Sequence, residues 1–204
     1  MNWLAHIFLS EKSIDFQIGN YLADPLKGRV WEGSSQEIKK GMSVHKIIDS
    51  YTDSHTLFLQ SKARLGDKGL LKALIIDLTY DYLLTKNWHH FCNEDIETFL
   101  DSFYSQAIKT LPHLPLHASQ PLKRMVEFDL LNKYQNLTHL REAFERIDKR
   151  LSTRLAKRDT ASAYFHKVSQ NIDCIEEDFM LFFPQLCQKT KEHMDKNRLT
   201  HWKI

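Results

Sequence analysis

The sequence predicts an all-α protein built as a single globular helical domain. Glycine is scarce, at 6 of 204 residues, whereas an average protein contains about 7%. Apolar residues recur at helical spacing through most of the chain, and no sustained alternation of apolar and polar residues indicates a strand. A chain of this length can bury roughly two thirds of its unfolded surface, so we expect a hydrophobic core.

The beginning of the chain predicts helices on both sides of a loop. Apolar residues at i, i+1, i+4 and i+5 give residues 1–10 one apolar face. Asp24 lies at an element boundary, because Pro25 follows it and a glycine-containing loop comes next. Ser35 is a candidate N-cap, and apolar residues then recur at helical spacing over 36–60, which predicts one or two helices there.

The later helices are predicted from apolar stripes and from the positions of the prolines. Segment 68–88 is the most apolar and predicts a helix of about 18 residues, and an amphipathic helix is expected at 95–110. Three prolines within 112–121 predict a connection. Further helices are expected at about 122–134, 137–158 and 160–184, the last closed by a proline.

The domain is expected to end where the apolar stripes end. Residues 1–188 form the single helical domain, and this domain contains every candidate catalytic residue. Residues 189–204 are polar and predict a C-terminal tail that is frayed or disordered.

Composition also bears on compartment and partners. The three cysteines are odd in number and lack the close pairing of a zinc knuckle or a disulfide framework, so we expect reduced thiols. The apolar start has no basic lead-in and ends at Glu11, which indicates neither a signal peptide nor a membrane span. We therefore expect a cytoplasmic protein without membrane contact. The net charge of +2 is too small to imply nucleic acid binding by itself.

One predicted helix presents three polar groups on a single face. His45, Asp49 and Asp53 are spaced i, i+4 and i+8, so each is rotated by only about 40° from the one before. Such a row of imidazole and carboxylate groups can converge on a ligand.

Asp77 and Asp81 are the most informative carboxylates, because they continue the apolar stripe of the next predicted helix. Burying an unpaired carboxylate costs several kcal/mol, and the only cations in this helix are Lys72 and Lys86. A divalent ion would supply the missing charge, and Asp and neutral His are suitable ligands for Mn²⁺, Mg²⁺, Fe²⁺ or Zn²⁺. The residues that could share this ion are His45, Asp49, and Asp24 or His6.

Structural interpretations compete with this metal site. Any single aspartate is commonly a solvated or capping residue, and a lone histidine is commonly a hydrogen-bonded structural one. We interpret His55, His89 and His90 in this structural way. The sequence contains no P-loop, no Rossmann fingerprint, no nucleophile elbow, no zincin motif and no Glu-x-x-His pair of a di-iron bundle. Those classes of site are therefore disfavoured.

Five motifs in the order MNWLAH, GNYLAD, HKIIDSYTD, DLTYDYLLTKNW and EEDFMLFFPQL together resemble the acyl carrier protein phosphodiesterases. The resemblance runs from Met1 to about Leu186. It implies a distorted relative of the His-Asp metal-dependent phosphohydrolases, removal of 4′-phosphopantetheine from the serine of holo acyl carrier protein, and Mn²⁺ as the ion, with Mg²⁺ or Fe²⁺ as alternatives. No His-Asp dipeptide occurs, and His45 with Asp49 one turn later could take its place.

A mechanism that fits the residues divides them into ligands and catalytic groups. The ion would lower the pKa of a bound water and polarise a phosphoryl oxygen, and hydroxide would attack phosphorus. The expected ligands are His45, Asp49, Asp77 and Asp24. The expected catalytic groups are Asp53 or Asp81 to orient the water, His6 as acid or additional ligand, and Lys46 or Lys27 to stabilise phosphate charge.

Residues 141–158 are rich in Lys and Arg, and several of these share one helical face. Acyl carrier proteins are strongly acidic and would be steered by a basic surface, although a solvated basic face without any partner is an equal alternative. The expected partner-binding residues are Arg146, Arg150, Arg154 and Lys157. The oligomeric state is left open.

Three other functions remain open. The same site could serve a nucleotide or another small phosphoester. A non-catalytic helical adaptor would use its aspartates only as caps and solvated groups. A prenyl-transfer site is disfavoured, because no Asp-Asp-x-x-Asp run occurs.

Overall fold

The computed structural model describes residues 1–203, and within them the chain forms twelve α-helices and no strand. The predicted all-α class is confirmed. The helices are α1 Trp3–Phe8, α2 Ile14–Leu22, α3 Gln36–Ser54, α4 Thr56–Arg64, α5 Lys72–Lys86, α6 Trp88–Phe91, α7 Ile96–Thr110, α8 Leu116–Glu127, α9 Leu137–Asp148, α10 Thr153–Ala156, α11 Phe165–Gln170 and α12 Ile172–Lys191.

The start of α3 follows from its N-cap. The hydroxyl oxygen of Ser35 accepts a hydrogen bond from the backbone N–H of Ile38 at 3.2 Å, which satisfies one of the donors left free in the first helical turn. At His55 the backbone turns to an extended conformation, with ψ of 133°. The apolar stripe over 36–60 therefore belongs to two helices, α3 and α4.

Two prolines lie inside helices, so the predictions drawn from Pro121 and Pro184 are wrong. Pro121 lies within α8, in the stretch expected to be a connection, and Pro184 lies within α12, which continues to Lys191. A proline removes one backbone hydrogen bond, but the residues beyond it can restore stability by packing. Leu186 and Cys187 are buried after Pro184, and their contacts hold the helix together.

Helices α2 and α3 pack at very short range because glycine faces the partner backbone on each side. A Cβ atom at Gly19 would collide with the carbonyl of Ile38, and one at Gly41 would collide with the carbonyl of Phe16. Only glycine allows such an approach of two backbones. This contact fixes α2 beside the polar face of α3.

The core is aromatic, and the C-terminal segment contributes to it. Phe8, Tyr80, Phe179, Phe182 and Phe183 are fully buried and contact one another through α1, α5 and α12.

In the described part of the expected tail, Trp202 stacks on Phe8 with ring centroids 5.6 Å apart, and its Nε1 donates to the carbonyl of Phe8 at 3.0 Å. Residue 204 lies outside the described part of the chain. Residues 189–204 are polar overall, but Trp202 among them packs against α1.

None of the helices within residues 1–203 combines the length and the apolar character that crossing a bilayer requires.

Candidate metal centre

Helices α1 and α3 bring two imidazoles and one carboxylate together. The rings of His6 and His45 are stacked, with centroids 4.0 Å apart. His6 Nε2 lies 3.1 Å from Asp49 Oδ1, and His45 Nε2 lies 3.0 Å from Asp49 Oδ2. Each of the three residues offers a ligand atom within 4.8 Å of the others. His6, His45 and Asp49 therefore form a group that can hold a divalent metal ion.

Asn20, in α2, sets the orientation and the tautomer of His6. Its amide nitrogen donates to the carbonyl of His6 at 2.9 Å and to the hydroxyl of Ser10 at 3.0 Å, so its amide oxygen faces His6 Nδ1 at 2.9 Å. This network assigns the proton of His6 to Nδ1. A hydrogen bond of this kind commonly orients a histidine whose other nitrogen binds a metal.

The electrostatics of the group favour a cation. Burial, together with the neighbouring His45, lowers the pKa of His6 to about 4, so the ring is neutral at pH 7. With the proton on Nδ1, the lone pair of His6 Nε2 faces oxygen lone pairs of Asp49 and of the Met1 carbonyl. His45 Nδ1 is buried without a hydrogen-bond partner within residues 1–203. A positive ion would relieve the repulsion between the lone pairs around His6 Nε2.

The spacing of the donors also fits a metal. Two ligand atoms bound at right angles, each about 2.1 Å from an ion, lie about 3 Å apart, which matches the separations between Asp49 and the two histidines. Burial opposes ionisation of Asp49, but the contacts of Asp49 with His45 and His6 outweigh it and hold the pKa of Asp49 well below its usual range. The carboxylate is thus ready to act as a ligand.

The group opens into a cavity of about 220 Å³, which we call the cleft. Of the predicted ligands outside the group, Asp77 and Asp24 line the cleft, and so does the predicted catalytic residue Asp53. Asp24 and Asp53 are exposed, and Trp3 Nε1 donates to Asp24 at 3.4 Å. Three predicted carboxylates therefore face the cleft beside the His-His-Asp group.

The positive charge that Asp77 requires comes from the main chain. The amine of Met1 lies 3.1 Å from Asp77 Oδ1 and 3.4 Å from Asp49 Oδ1. Burial raises the pKa of Asp77, and the Met1 amine opposes that rise only in part. The two carboxylates thus converge on a cation beside the two histidines.

Asp81 lies outside the cleft and holds the beginning of α1. It is fully buried and accepts hydrogen bonds from the backbone N–H groups of Leu4 at 3.0 Å and Ala5 at 3.1 Å, and from the side-chain amide of Asn2 at 2.9 Å. Burial raises the pKa of Asp81 to about 7 despite these bonds. Its contacts are those of a residue that positions α1, and with it His6.

The predicted cationic residues divide between separate surfaces. Lys46 is exposed beside Gly28, and it lines an open cavity with Ser50 and Tyr51 away from the cleft. Lys27, with φ of 52°, lines another surface cavity.

Arg146 and Arg150 line a second cavity, which we call the apolar pocket and which adjoins the cleft. Arg154 and Lys157 are exposed on and after α10 and line neither cavity.

Comparison with known proteins decides the family. The model of the family described as acyl carrier protein phosphodiesterase matches residues 1–186. The chain belongs to the acyl carrier protein phosphodiesterase family. The predicted family is confirmed, and with it the predicted enzyme class, a phosphodiesterase.

Two acyl carrier protein phosphodiesterases have low sequence identity to this chain, but they align with nearly all of it. The protein of that name from Yersinia pestis is 23% identical over 193 residues, and the one from Pectobacterium atrosepticum is 25% identical over 193 residues. Each alignment covers 94% of this chain and 98% of the relative. No solved structure matches the chain, so the His-Asp phosphohydrolase-like detail of the fold stays a prediction.

Three residues around the candidate site were not predicted from the sequence: Asn2, Asn20 and Tyr134. Asn20 forms a hydrogen bond with His6, and Asn2 donates one to Asp81. Asn2 also donates a hydrogen bond to the hydroxyl of Tyr134 at 2.9 Å. Asn20 is fully buried. A polar residue within the apolar pattern of α2 was the available signal, and both asparagines lie in the motifs MNWLAH and GNYLAD.

Proposed function

We propose that this protein is a divalent-metal-dependent hydrolase that removes 4′-phosphopantetheine from the serine of holo acyl carrier protein, and that Mn²⁺ is its ion. The observation that carries the proposal is the convergence of His6, His45 and Asp49 at the cleft, in a chain of the acyl carrier protein phosphodiesterase family. Two imidazoles with a carboxylate suit a first-row transition ion better than Mg²⁺ or Ca²⁺, which prefer oxygen ligands.

The reaction requires that one bond to phosphorus form and another break. Water adds to phosphorus, the bond between phosphorus and the serine oxygen breaks, and the serine oxygen takes up a proton. The products are the apo carrier protein with a free serine hydroxyl and 4′-phosphopantetheine. A divalent ion would offset the negative charge of the phosphoryl oxygens and make water more acidic.

The carboxylates that line the cleft supply the proton transfers. Asp77 lines the cleft and burial raises its pKa, so we assign it the proton donated to the serine oxygen. Asp53 is exposed at the cleft and suits a carboxylate that orients the attacking water. His6 acts as a ligand rather than as an acid, because burial lowers its pKa to about 4.

The carrier protein would approach from the side of α9 and α10. Arg146, Arg150, Arg154 and Lys157 all belong to this region, two of them beside the cleft and two on the outer surface. Acidic residues of the partner would be attracted to these cations, which mainly increases the association rate. The association rate should therefore fall steeply with added salt.

The test is direct. The purified protein is incubated with holo acyl carrier protein and Mn²⁺, and mass spectrometry follows the loss of the phosphopantetheine arm. We expect complete conversion to the apo form, loss of activity with a chelator, and loss of both bound metal and activity in His45→Ala and Asp49→Ala. Ser43→Ala, on the exposed side of the same helix, is the matched control. An arm that stays attached with every divalent ion tried refutes the proposal.

A further inference from the structure

The apolar pocket adjoins the cleft. It has a volume of about 240 Å³, and Asn2, Trp3, Asp24 and Leu74 line both it and the cleft. A flexible ligand whose phosphate lies beside the His-His-Asp group would need to pass only these four residues to reach the pocket.

The lining of the pocket combines apolar walls with a few donors. Leu78, Ala143 and Ile147 provide apolar surface from α5 and α9, and Leu130 adds to it from the segment before α9. Pockets of this composition bind small organic groups and use a small number of polar side chains to orient them.

Two polar side chains of the pocket, Arg146 and Arg150, have hydrogen-bond donors that the described part of the protein does not use. Arg146 is half-buried and has only a long contact of 3.8 Å with Glu142. The guanidinium of Arg150 has no hydrogen-bond or salt-bridge partner within residues 1–203, although it lies close enough to influence the pKa of Tyr134. A guanidinium has five N–H donors and no acceptor. The pocket is therefore prepared for a ligand that carries carbonyl or phosphate oxygens.

We propose that the apolar pocket receives the pantetheine arm while its phosphate lies in the cleft. This inference rests on the proposed function, since that function supplies an arm to be bound. The arm carries two methyl groups next to the phosphate end and two amides further along, so it matches apolar walls combined with arginine donors. Arg146 and Arg150 act here as arm-binding residues, in addition to any attraction for the carrier protein.

Two variants separate arm binding from docking of the acidic partner. Arg150→Gln and Lys149→Gln each remove one positive charge from neighbouring exposed residues, but only Arg150 lines the pocket. Both changes weaken long-range attraction of an acidic protein to a similar extent. Only Arg150→Gln should weaken binding of pantetheine itself, which is neutral, by about fivefold to tenfold in calorimetric titrations.

A third variant fills the pocket. Ala143 is almost fully buried and lines the pocket wall, so Ala143→Phe places a ring in the space that the arm would occupy. We expect KM for holo carrier protein to rise by about tenfold or more with kcat little changed, and Mn²⁺ content to stay at the wild-type level. If Ala143→Phe does not fold, as shown by its melting curve, the comparison of Arg150→Gln with Lys149→Gln decides.

The outcomes distinguish the two proposals. An unmodified protein that releases no arm refutes the proposed function, while binding of free pantetheine that Arg150→Gln weakens still supports the pocket assignment. Equal effects of Arg150→Gln and Lys149→Gln on pantetheine binding overturn the pocket assignment. A normal KM for holo carrier protein in a folded Ala143→Phe also overturns it.

Discussion

The hydrogen bonds of Asn20 lead to a quantitative prediction for Asn20→Ala. The amide of Asn20 makes three buried bonds, with His6 Nδ1, the His6 carbonyl and the Ser10 hydroxyl. The His6 carbonyl keeps its bond from Ser10 at 2.8 Å, so the change leaves only His6 Nδ1 without a partner. An unsatisfied buried donor costs about 1–3 kcal/mol, and each of the other two bonds contributes about 1 kcal/mol. The free energy of unfolding should therefore fall by about 3–5 kcal/mol.

A second effect separates the proposed role of Asn20 from simple packing. Without the amide, His6 can rotate and can carry its proton on either nitrogen, so its Nε2 is no longer held as a ligand. Loss of such an orienting hydrogen bond typically lowers metal affinity by about 10–100-fold. Urea unfolding with a chelator measures the stability, and calorimetric titration with Mn²⁺ under native conditions measures the affinity.

Asn171→Ala is the matched control, because Asn171 is only partly buried and its side-chain amide donates only to the carbonyl of Lys167 at 2.9 Å. It should change both quantities little. If Asn20→Ala lost stability as expected but bound Mn²⁺ as tightly as the unmodified protein, the assignment of the His6 tautomer would be wrong.

Three further predictions concern packing, metal and pH. Gly41→Ala should lower the free energy of unfolding by about 2 kcal/mol or more, because the Phe16 backbone cannot move aside. Ser43→Ala is the control. Equal urea midpoints for the two variants would contradict the predicted clash. Mn²⁺ at 100 times its Kd should add about 2.7 kcal/mol of stability, and His45→Ala should abolish that gain; a gain of equal size in the variant would rule out the site.

The third of these concerns Asp81, whose pKa is raised to about 7 by burial. Its protonated form therefore stabilises the fold, fully below the unfolded pKa of about 4 and progressively less as the pH rises through 7. Urea titrations with a chelator should show this decline in the unmodified protein and not in Asp81→Asn, and parallel curves would count against it.

The fold could be predicted where local sequence and packing agree. Ser35 marks the start of α3, because a serine before an apolar helical pattern can cap the free N–H groups. Pro121 and Pro184 led to wrong predictions, because local preference disfavours proline inside a helix. Tertiary packing outweighs that preference here, and a local sequence pattern does not reveal it.

The candidate site could be predicted within one helix and not between helices. His45 and Asp49 share a face of α3, so their spacing alone places them together. Their meeting with His6 depends on how α1 packs on α3, and no periodicity encodes that contact. Asp81 illustrates the same limit. The apolar stripe predicted its burial, but no sequence pattern predicts that it accepts hydrogen bonds from the backbone N–H groups of Leu4 and Ala5.

The contact between Phe8 and Trp202 has a consequence for the order in which the protein folds. The hydrogen bond between them joins residues 194 positions apart, so this contact of α1 can form only after Trp202 has been synthesised. Contacts of such long range form slowly and late. His6 belongs to α1 as Phe8 does, so we expect His6 to reach its final position beside His45 and Asp49 late in folding.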